Sequence, residues 1–264
     1  MKGTDNMQED EDAGRFSPRG DYKLVSTYAS LVDRMYFLGK QGERYFRERD
    51  FIDISMRSLA SGAKIIDAGC GTGIHIQLLR ELGYDISGFD LREDMVAVAK
   101  ERNRSSIIVQ GDMREFPLGM QVDGVICMYG AINYVETEEG ILKTFSNFFN
   151  HLNSGGIAIV DTREWCNLDE RVRVWHTEGY TLAKRWVKSS RLMESVYRVF
   201  FTIPSEGVME MEDHWQYFQD STWLKLKMFE AGFSLVNVFD NYNLRTSFRK
   251  ETGSHLPVLL AQKK

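Results

Sequence analysis

Apolar positions along the chain change period several times, and each change marks a structural boundary. From Tyr22 to Ala60 they recur at helical spacing: Leu24, Tyr28, Leu31, Val32 and Met35, then Tyr45, Phe46, Phe51, Ile52, Met56 and Leu59. Gly39 and Gly42 interrupt this stretch, which predicts two or three amphipathic helices. At Lys64 the pattern shortens to the apolar run Lys64-Ile65-Ile66-Asp67-Ala68, followed by a glycine cluster and a return to helical spacing from Ile74 to Leu82. The same alternation continues, with strands predicted over 85–90, 107–109, 124–128 and 156–161 and helices over 93–104 and 138–152. Short strands alternating with helices of about ten residues imply right-handed βαβ units and a doubly wound sheet covered on both faces.

After Asp161 the period becomes two, as in Val208-Met209-Glu210-Met211-Glu212-Asp213-His214-Trp215-Gln216-Tyr217. That alternation predicts antiparallel strands inserted into the main fold between residues 163 and 220. Ser221 is placed to cap a helix that runs to Ala231 and stops at Gly232, and two strands, 235–239 and 256–261, complete an α/β sheet of seven mostly parallel strands. The resulting organisation is a disordered tail over 1–20, a helical lid over 21–60, a core over 61–162, the inserted segment over 163–220 and a C-terminal completion of the sheet over 221–264.

Composition narrows the function classes. The 264 residues are 43% hydrophobic and 27% charged, ordinary for a globular domain, so fibrous and wholly disordered readings drop out. A net charge of -5 gives no global footprint for nucleic acid or an anionic membrane. No apolar run is long enough to span a bilayer and no secretory leader is visible, so the reading is a soluble cytoplasmic protein. Cys70, Cys127 and Cys166 are too few and too widely spaced for a disulfide framework, and the five histidines show no metal spacing.

The chemistry-bearing stretch is Asp67-Ala68-Gly69-Cys70-Gly71-Thr72-Gly73, between the first strand and its helix. Glycines there turn the chain tightly and let backbone approach a ligand, and the following helix turns its free N–H groups toward it. The spacing is GxGxG, with Ile74 where the dinucleotide fingerprint needs a third glycine, and no Gly-Lys-Ser/Thr follows as a P-loop would require. Asp90 ends the second strand, 23 residues beyond Asp67, where an acid accepts both hydroxyls of a ribose. Asp112 follows the third strand in Gly111-Asp112-Met113, placed to take an exocyclic amine while Met113 lies on the base. Three acids at three strand ends suit a ligand with ribose, adenine and positive charge but no phosphate, and S-adenosylmethionine is such a ligand.

Residues 61–162 resemble the core of class I S-adenosylmethionine-dependent methyltransferases, which have a Rossmann-like fold. DAGCGTG is similar to their first motif, Asp90 to their ribose acid and Gly111-Asp112-Met113 to their adenine-side motif. The resemblance implies cofactor contacts from Asp67, Gly69, Gly71, Gly73, Asp90, Asp112 and Met113, with Met128 and Tyr45 beside them, and puts Asp67 near the methionine amino group by way of backbone or water.

The acceptor is read from the next strand ends. Met128-Tyr129-Gly130-Ala131-Ile132-Asn133-Tyr134 lacks the Asn/Asp-Pro-Pro-Tyr/Phe motif of base methyltransferases and resembles the loop of small-molecule N-methyltransferases acting on nucleotide-linked amino sugars or glycine. Asp161-Thr162-Arg163 is similar to the Asp-x-Arg of the glycine-type enzymes, whose Arg holds a substrate carboxylate. Tyr134, Arg163 and Tyr28 are the candidate catalytic residues, and no metal is expected, because Asp161 has no acidic partner in the loop after the fourth strand. His75 is the histidine nearest the inferred site. The five tryptophans, Trp165, Trp175, Trp186, Trp215 and Trp223, all follow the fifth strand and either floor a substrate pocket or form the insertion's own core. The implied partner is a small-molecule amine, for a monomer or homodimer. Alternatives are O-methylation of a hydroxyl or carboxylate, methylation of a macromolecule, and cofactor binding without turnover.

Overall fold

The computed structural model describes Ala29 and residues 40–59, 62–163, 172–177, 180–188, 194–203, 208–249 and 256–264. Tyr28, the tail over 1–20 and residues 30–39 of the expected lid lie outside them. The described elements begin with α1 (Lys40–Met56), β1 (Lys64–Ala68), α2 (Ile74–Glu81), β2 (Asp85–Asp90), α3 (Glu93–Arg102), β3 (Ile108–Gln110) and β4 (Val122–Cys127). A 3-10 turn (Ala131–Tyr134) leads into α4 (Glu138–His151) and β5 (Leu152–Asp161). Then come β6 (Arg173–Thr177), β7 (Tyr180–Lys188), β8 (Glu194–Ile203) and β9 (Val208–Tyr217), followed by α5 (Ser221–Glu230), β10 (Leu235–Asp240), β11 (Asn243–Ser247) and β12 (Pro257–Gln262).

Eight strands, not the expected seven, form the main sheet in the order β11-β10-β12-β5-β4-β1-β2-β3. The five strands from β5 to β3 run parallel, while β12, β10 and β11 are joined by antiparallel pairings. The additional strand, β11, is a mostly exposed edge with the sequence Asn-Leu-Arg-Thr-Ser, so it carries no apolar alternation to announce it. Strands β6 to β9 make a separate four-stranded antiparallel sheet. Helix α5 is capped by Asp220 rather than Ser221; the Asp220 carboxylate accepts from the Thr222 N–H at 2.8 Å and the Trp223 N–H at 3.3 Å, satisfying two first-turn donors.

Alternation along β1 sorts the core into two layers. Ile66 and Ala68 face α4 and α5, packing with Phe145, Phe148, Leu224 and Met228, whereas Ile65 faces α1 to α3, packing with Phe51, Ile52, Met56, Ile76 and Val96. Asp67 follows the Ile65 face by the same period. Trp223 packs against the α4 and α5 layer of the main core rather than inside the inserted sheet, and the side chains of Trp165, Trp175 and Trp186 lie outside the described residues.

Helix α1 is built into the sheet. Tyr45, Glu48, Phe51, Ile52 and Met56 are all buried, and their 3-3-1-4 spacing is one continuous helix face. Phe51, Ile52 and Met56 each contribute about 1.5–3 kcal/mol of burial. Met56 lies so close to β4 that a Cβ on Gly124 would come within 2.8 Å of its terminal methyl.

Candidate functional site

The carboxyl ends of β1, β2, β4 and β5 converge on the glycine loop after β1. Gly69 and Cys70 both donate their N–H groups to the Phe89 carbonyl, at 2.8 and 2.9 Å, which folds the loop back over β2. Gly73 has φ +76°, and a Cβ there would meet the Asn103 amide nitrogen at 2.5 Å, so helix packing alone demands glycine. Gly71 differs: its φ is +52° and the space where its Cβ would stand is open. Among the described residues, backbone on that side of the loop is open to close approach.

Asp90 spans the loop and the next helix. One carboxylate oxygen accepts the Gly71 N–H at 2.8 Å and the other the Arg92 N–H at 2.9 Å. Two bonds leave lone pairs on both oxygens for further donors. Asp112 accepts the Arg114 N–H at 2.8 Å and both of its oxygens take Arg114 Nε at 2.9 Å, so although burial opposes its charge, Arg114 holds it below the usual carboxylate range. Met113 lies against the loop, since a Cβ on Gly69 would come 3.3 Å from its methyl carbon. Met128, by contrast, is 2% exposed and packs within the α1 to α3 layer, so its side chain is core.

Sequence reasoning missed a buried polar cluster that ties α1 to the strand ends. Glu48 is fully buried; it accepts from Arg44 Nε one turn earlier and pairs with His75 Nε2 at 2.7 Å. Burial opposes the Glu48 charge, yet Arg44 and His75 together hold its carboxyl down at about 2. Burial alone would lower His75, but the bond and charge of Glu48 outweigh it and raise it above the usual imidazole range, favouring the charged form. Arg44 also donates to Asp161 at 3.3 Å and to the Tyr242 hydroxyl at 3.0 Å. Asp161 is fully buried and further accepts the Tyr242 hydroxyl and the Gly130 N–H, the latter at 2.6 Å. A signal for Glu48 did exist, because it occupies a core position of the α1 face. None existed for Tyr242, which arrives from the β10–β11 turn with φ +60°.

Tyr129 sits at the centre of this arrangement, at the end of β4. Its backbone is left-handed, φ +63°, and so is that of Gly130, φ +75°. The Tyr129 ring stacks on Tyr45 at 5.6 Å, with the Arg44 guanidinium 4.1 Å and the Arg163 guanidinium 5.6 Å from its centre. Tyr45 also meets His75 edge-on at 5.4 Å. Arg163 and Tyr134 flank Asn133, whose side chain accepts the Arg163 N–H at 3.0 Å and donates to Thr162 at 3.1 Å and to the Tyr217 carbonyl at 2.9 Å. Tyr134 is 48% exposed and its hydroxyl lies 3.3 Å from His214 Nδ1, on the second sheet.

Asp67 stands apart. It is 1% exposed and neither carboxylate oxygen has a hydrogen-bond partner. Burial, reinforced by Asp90, Glu48 and Asp161 against the opposing charge of His75, pushes it up to about 7. No described helix is long and apolar enough to cross a membrane, and no cluster of metal-ligating side chains occurs among the described residues.

Residues 65–156 match the family model described as Methyltransferase domain. Over 191 residues the chain is 29% identical to the dTDP-3-amino-3,4,6-trideoxy-alpha-D-glucopyranose N,N-dimethyltransferase of Streptomyces venezuelae, covering 71% of this chain and 74% of that one. It is 26% identical over 189 residues to the glycine/sarcosine N-methyltransferase of Aphanothece halophytica, covering 69% and 70%. A crystal structure of an S-adenosylmethionine-dependent methyltransferase from Clostridium acetobutylicum superposes with a TM-score of 0.77 at 17% identity, covering 90% of this chain and 99% of that one, and shares the fold. Residues 65–156 are a methyltransferase domain, set in a Rossmann-like sheet whose fold is shared with S-adenosylmethionine-dependent methyltransferases of known structure.

Proposed function

We propose that the chain transfers the methyl group of S-adenosylmethionine to a neutral amine nitrogen of a small metabolite, an amino sugar or an amino acid. The residues present fit the cofactor on two counts: Asp67 is a buried carboxylate without a hydrogen-bond partner, and Gly71 leaves open the space a side chain would fill. Asp67 would receive the amino group, Asp90 the ribose and Asp112 with Met113 the adenine, while Gly69, Gly71 and Gly73 form the cradle and Tyr45 closes it from α1. When bound, the cofactor supplies a methyl group already activated by its sulfonium. The protein's remaining tasks are to align the amine and to receive its proton.

The observation that carries the amine reading is the Tyr134–His214 pair beside the β4 end. A half-exposed phenol backed by a histidine holds a neutral amine by hydrogen bond and passes on the proton it sheds. The two N-methyltransferase relatives support the same reaction class. Arg163 is the residue that separates the substrates, because its planar fork clamps a carboxylate in two parallel hydrogen bonds and Lys keeps the charge without the fork. The reading extends to a cytoplasmic enzyme acting as monomer or homodimer, without nucleic acid.

The test is a screen of dTDP-linked amino sugars, glycine and sarcosine with radiolabelled cofactor, followed by kinetics of Arg163→Lys on whichever is turned over. A carboxylate acceptor predicts a raised KM in the variant with cofactor affinity unchanged. Unaltered kinetics remove the clamp and favour the amino sugar. Transfer to oxygen but to no amine overturns the reading.

A further inference from the structure

Asp67 occupies the α1 to α3 face of the sheet, and ionisable groups reach it from every side. His75 comes from α2, Glu48 from α1, Asp90 from β2 and Asp161 from β5, with Cys70 on the loop and Cys127 on β4. The charges around it are already committed. His75 is paired with Glu48 at 2.7 Å, and Arg44 spans Glu48 and Asp161, so the two basic side chains are already taken up by two carboxyl groups. Asp90 is engaged by two backbone N–H groups. An ionised Asp67 would therefore be a further buried anion among these groups, with no donor to either oxygen. Such a group takes up a proton instead, and burial together with the three neighbouring acids raises its affinity for one. An arriving ammonium group supplies what the pocket lacks: one positive charge and up to three N–H donors.

We propose that Asp67 is held as a neutral carboxylic acid until the cofactor's ammonium group reaches it, and that binding expels the Asp67 proton to solvent, coupling cofactor affinity to pH. The inference rests on the cofactor assignment and goes beyond Asp67's position near the amino group. The balance is simple: the carboxyl O–H bond breaks, the proton passes to buffer and the carboxylate pairs with the ammonium. His75 stays bonded to Glu48, which favours its charged form, so the proton is assigned to Asp67, and the Asp67→Asn variant below separates the two.

Titration calorimetry with S-adenosylhomocysteine in two buffers of different ionisation heat counts the protons. The measurement belongs at pH 6 to 7, where an ordinary α-amino group, at about 7.7–8.0, is still charged. A carboxyl at about 7 releases about 0.9 proton per ligand at pH 6 and about 0.5 at pH 7, and affinity rises about fivefold between them. Asp67→Asn should abolish the release and flatten the pH dependence. Difference infrared spectroscopy of the wild type gives a second readout that needs no variant, the loss of a protonated-carboxyl band on binding. Buffer-independent heats at pH 6, a flat affinity profile, or full proton release by a folded Asp67→Asn protein each overturn the proposal while the cofactor assignment stands. Absence of binding at every pH takes down both.

Discussion

Asp67 and Asp161 end two strands on either side of β4, face the same helical layer and are equally buried, yet their surroundings are opposite. Asp161 collects the Gly130 N–H, the Tyr242 hydroxyl and the Arg44 guanidinium. Asp67 collects nothing. A buried carboxylate is kept either because it organises the protein around it or because something outside the protein completes it. The first kind here binds α1, the β4 turn and the β10–β11 hairpin to one point. The second leaves a position whose stabilising partner is a ligand, at a cost to the free protein.

The contrast predicts opposite signs for two substitutions. The larger effect belongs to the satisfied cluster. Glu48→Ala leaves Arg44 short of one partner and His75 as a buried cation without its carboxylate, which should destabilise by about 3–5 kcal/mol. Glu48 sits at about 2 in the fold against about 4.3 in an unfolded chain, so its contribution is complete above pH 4.3 and disappears as pH falls toward 2. Denaturant titrations at pH 7 and pH 3 should therefore show the gap between wild type and variant closing at the lower pH. A gap at pH 7 below 1 kcal/mol, as an order of magnitude, would mean that the cluster does not clamp α1.

Asp67→Asn should act the other way. In the folded protein Asp67 ionises near 7, and in the unfolded chain near 3.9, so wild-type stability drains away as pH rises from about 4 to 7 and is constant above. The full drain is about 4 kcal/mol, at about 1.4 kcal/mol for each pH unit. Asn has no charge to lose, so relative to wild type the variant should gain stability steadily over that window, whatever fixed offset its amide adds. Thermal unfolding at pH 4.5, 6 and 7.5 measures the slope. Equal slopes for the two proteins would show that Asp67 has a partner after all.

How far the sequence could lead follows from the same physics. Strands β1 and β2 were legible to the residue, because each is a short segment of consecutive buried positions that opens on a charged residue and, in β1, ends at the glycine loop. Strand β3 shifts by one residue, because Ile107 is apolar yet 56% exposed and outside the strand. The start of β5 was hidden: Asn153-Ser154-Gly155-Gly156 has loop chemistry, but Leu152 pairs with Val122 across a bulge and draws those residues into the strand. Among site residues, the glycine loop and the acids at the strand ends carry local signals. Arg44, Tyr242 and His214 do not, because each becomes a site residue only by a contact made across the fold. The exception in principle is Glu48, since a carboxylate in register with Tyr45, Phe51 and Ile52 is a buried charge waiting for partners.

The smallest expected effect concerns Tyr129, where the satisfied cluster holds a backbone that its residue type disfavours. A left-handed φ costs a residue with a Cβ about 1–2 kcal/mol, and glycine nearly none. In a helix or strand, replacing alanine by glycine destabilises by about 0.5–1 kcal/mol through the entropy of the unfolded chain. Tyr129→Ala and Tyr129→Gly lose the same ring contacts with Tyr45 and Arg44, so comparing the two cancels those losses and isolates the backbone. If the Asp161 bond to the Gly130 N–H fixes the turn in its left-handed form, the glycine variant should be the more stable by about 1 kcal/mol. Their midpoints in urea, measured side by side, decide it by sign alone. An alanine variant more stable than the glycine one would mean that the turn relaxes to ordinary backbone, and that Asp161 does not hold the end of β4 in place.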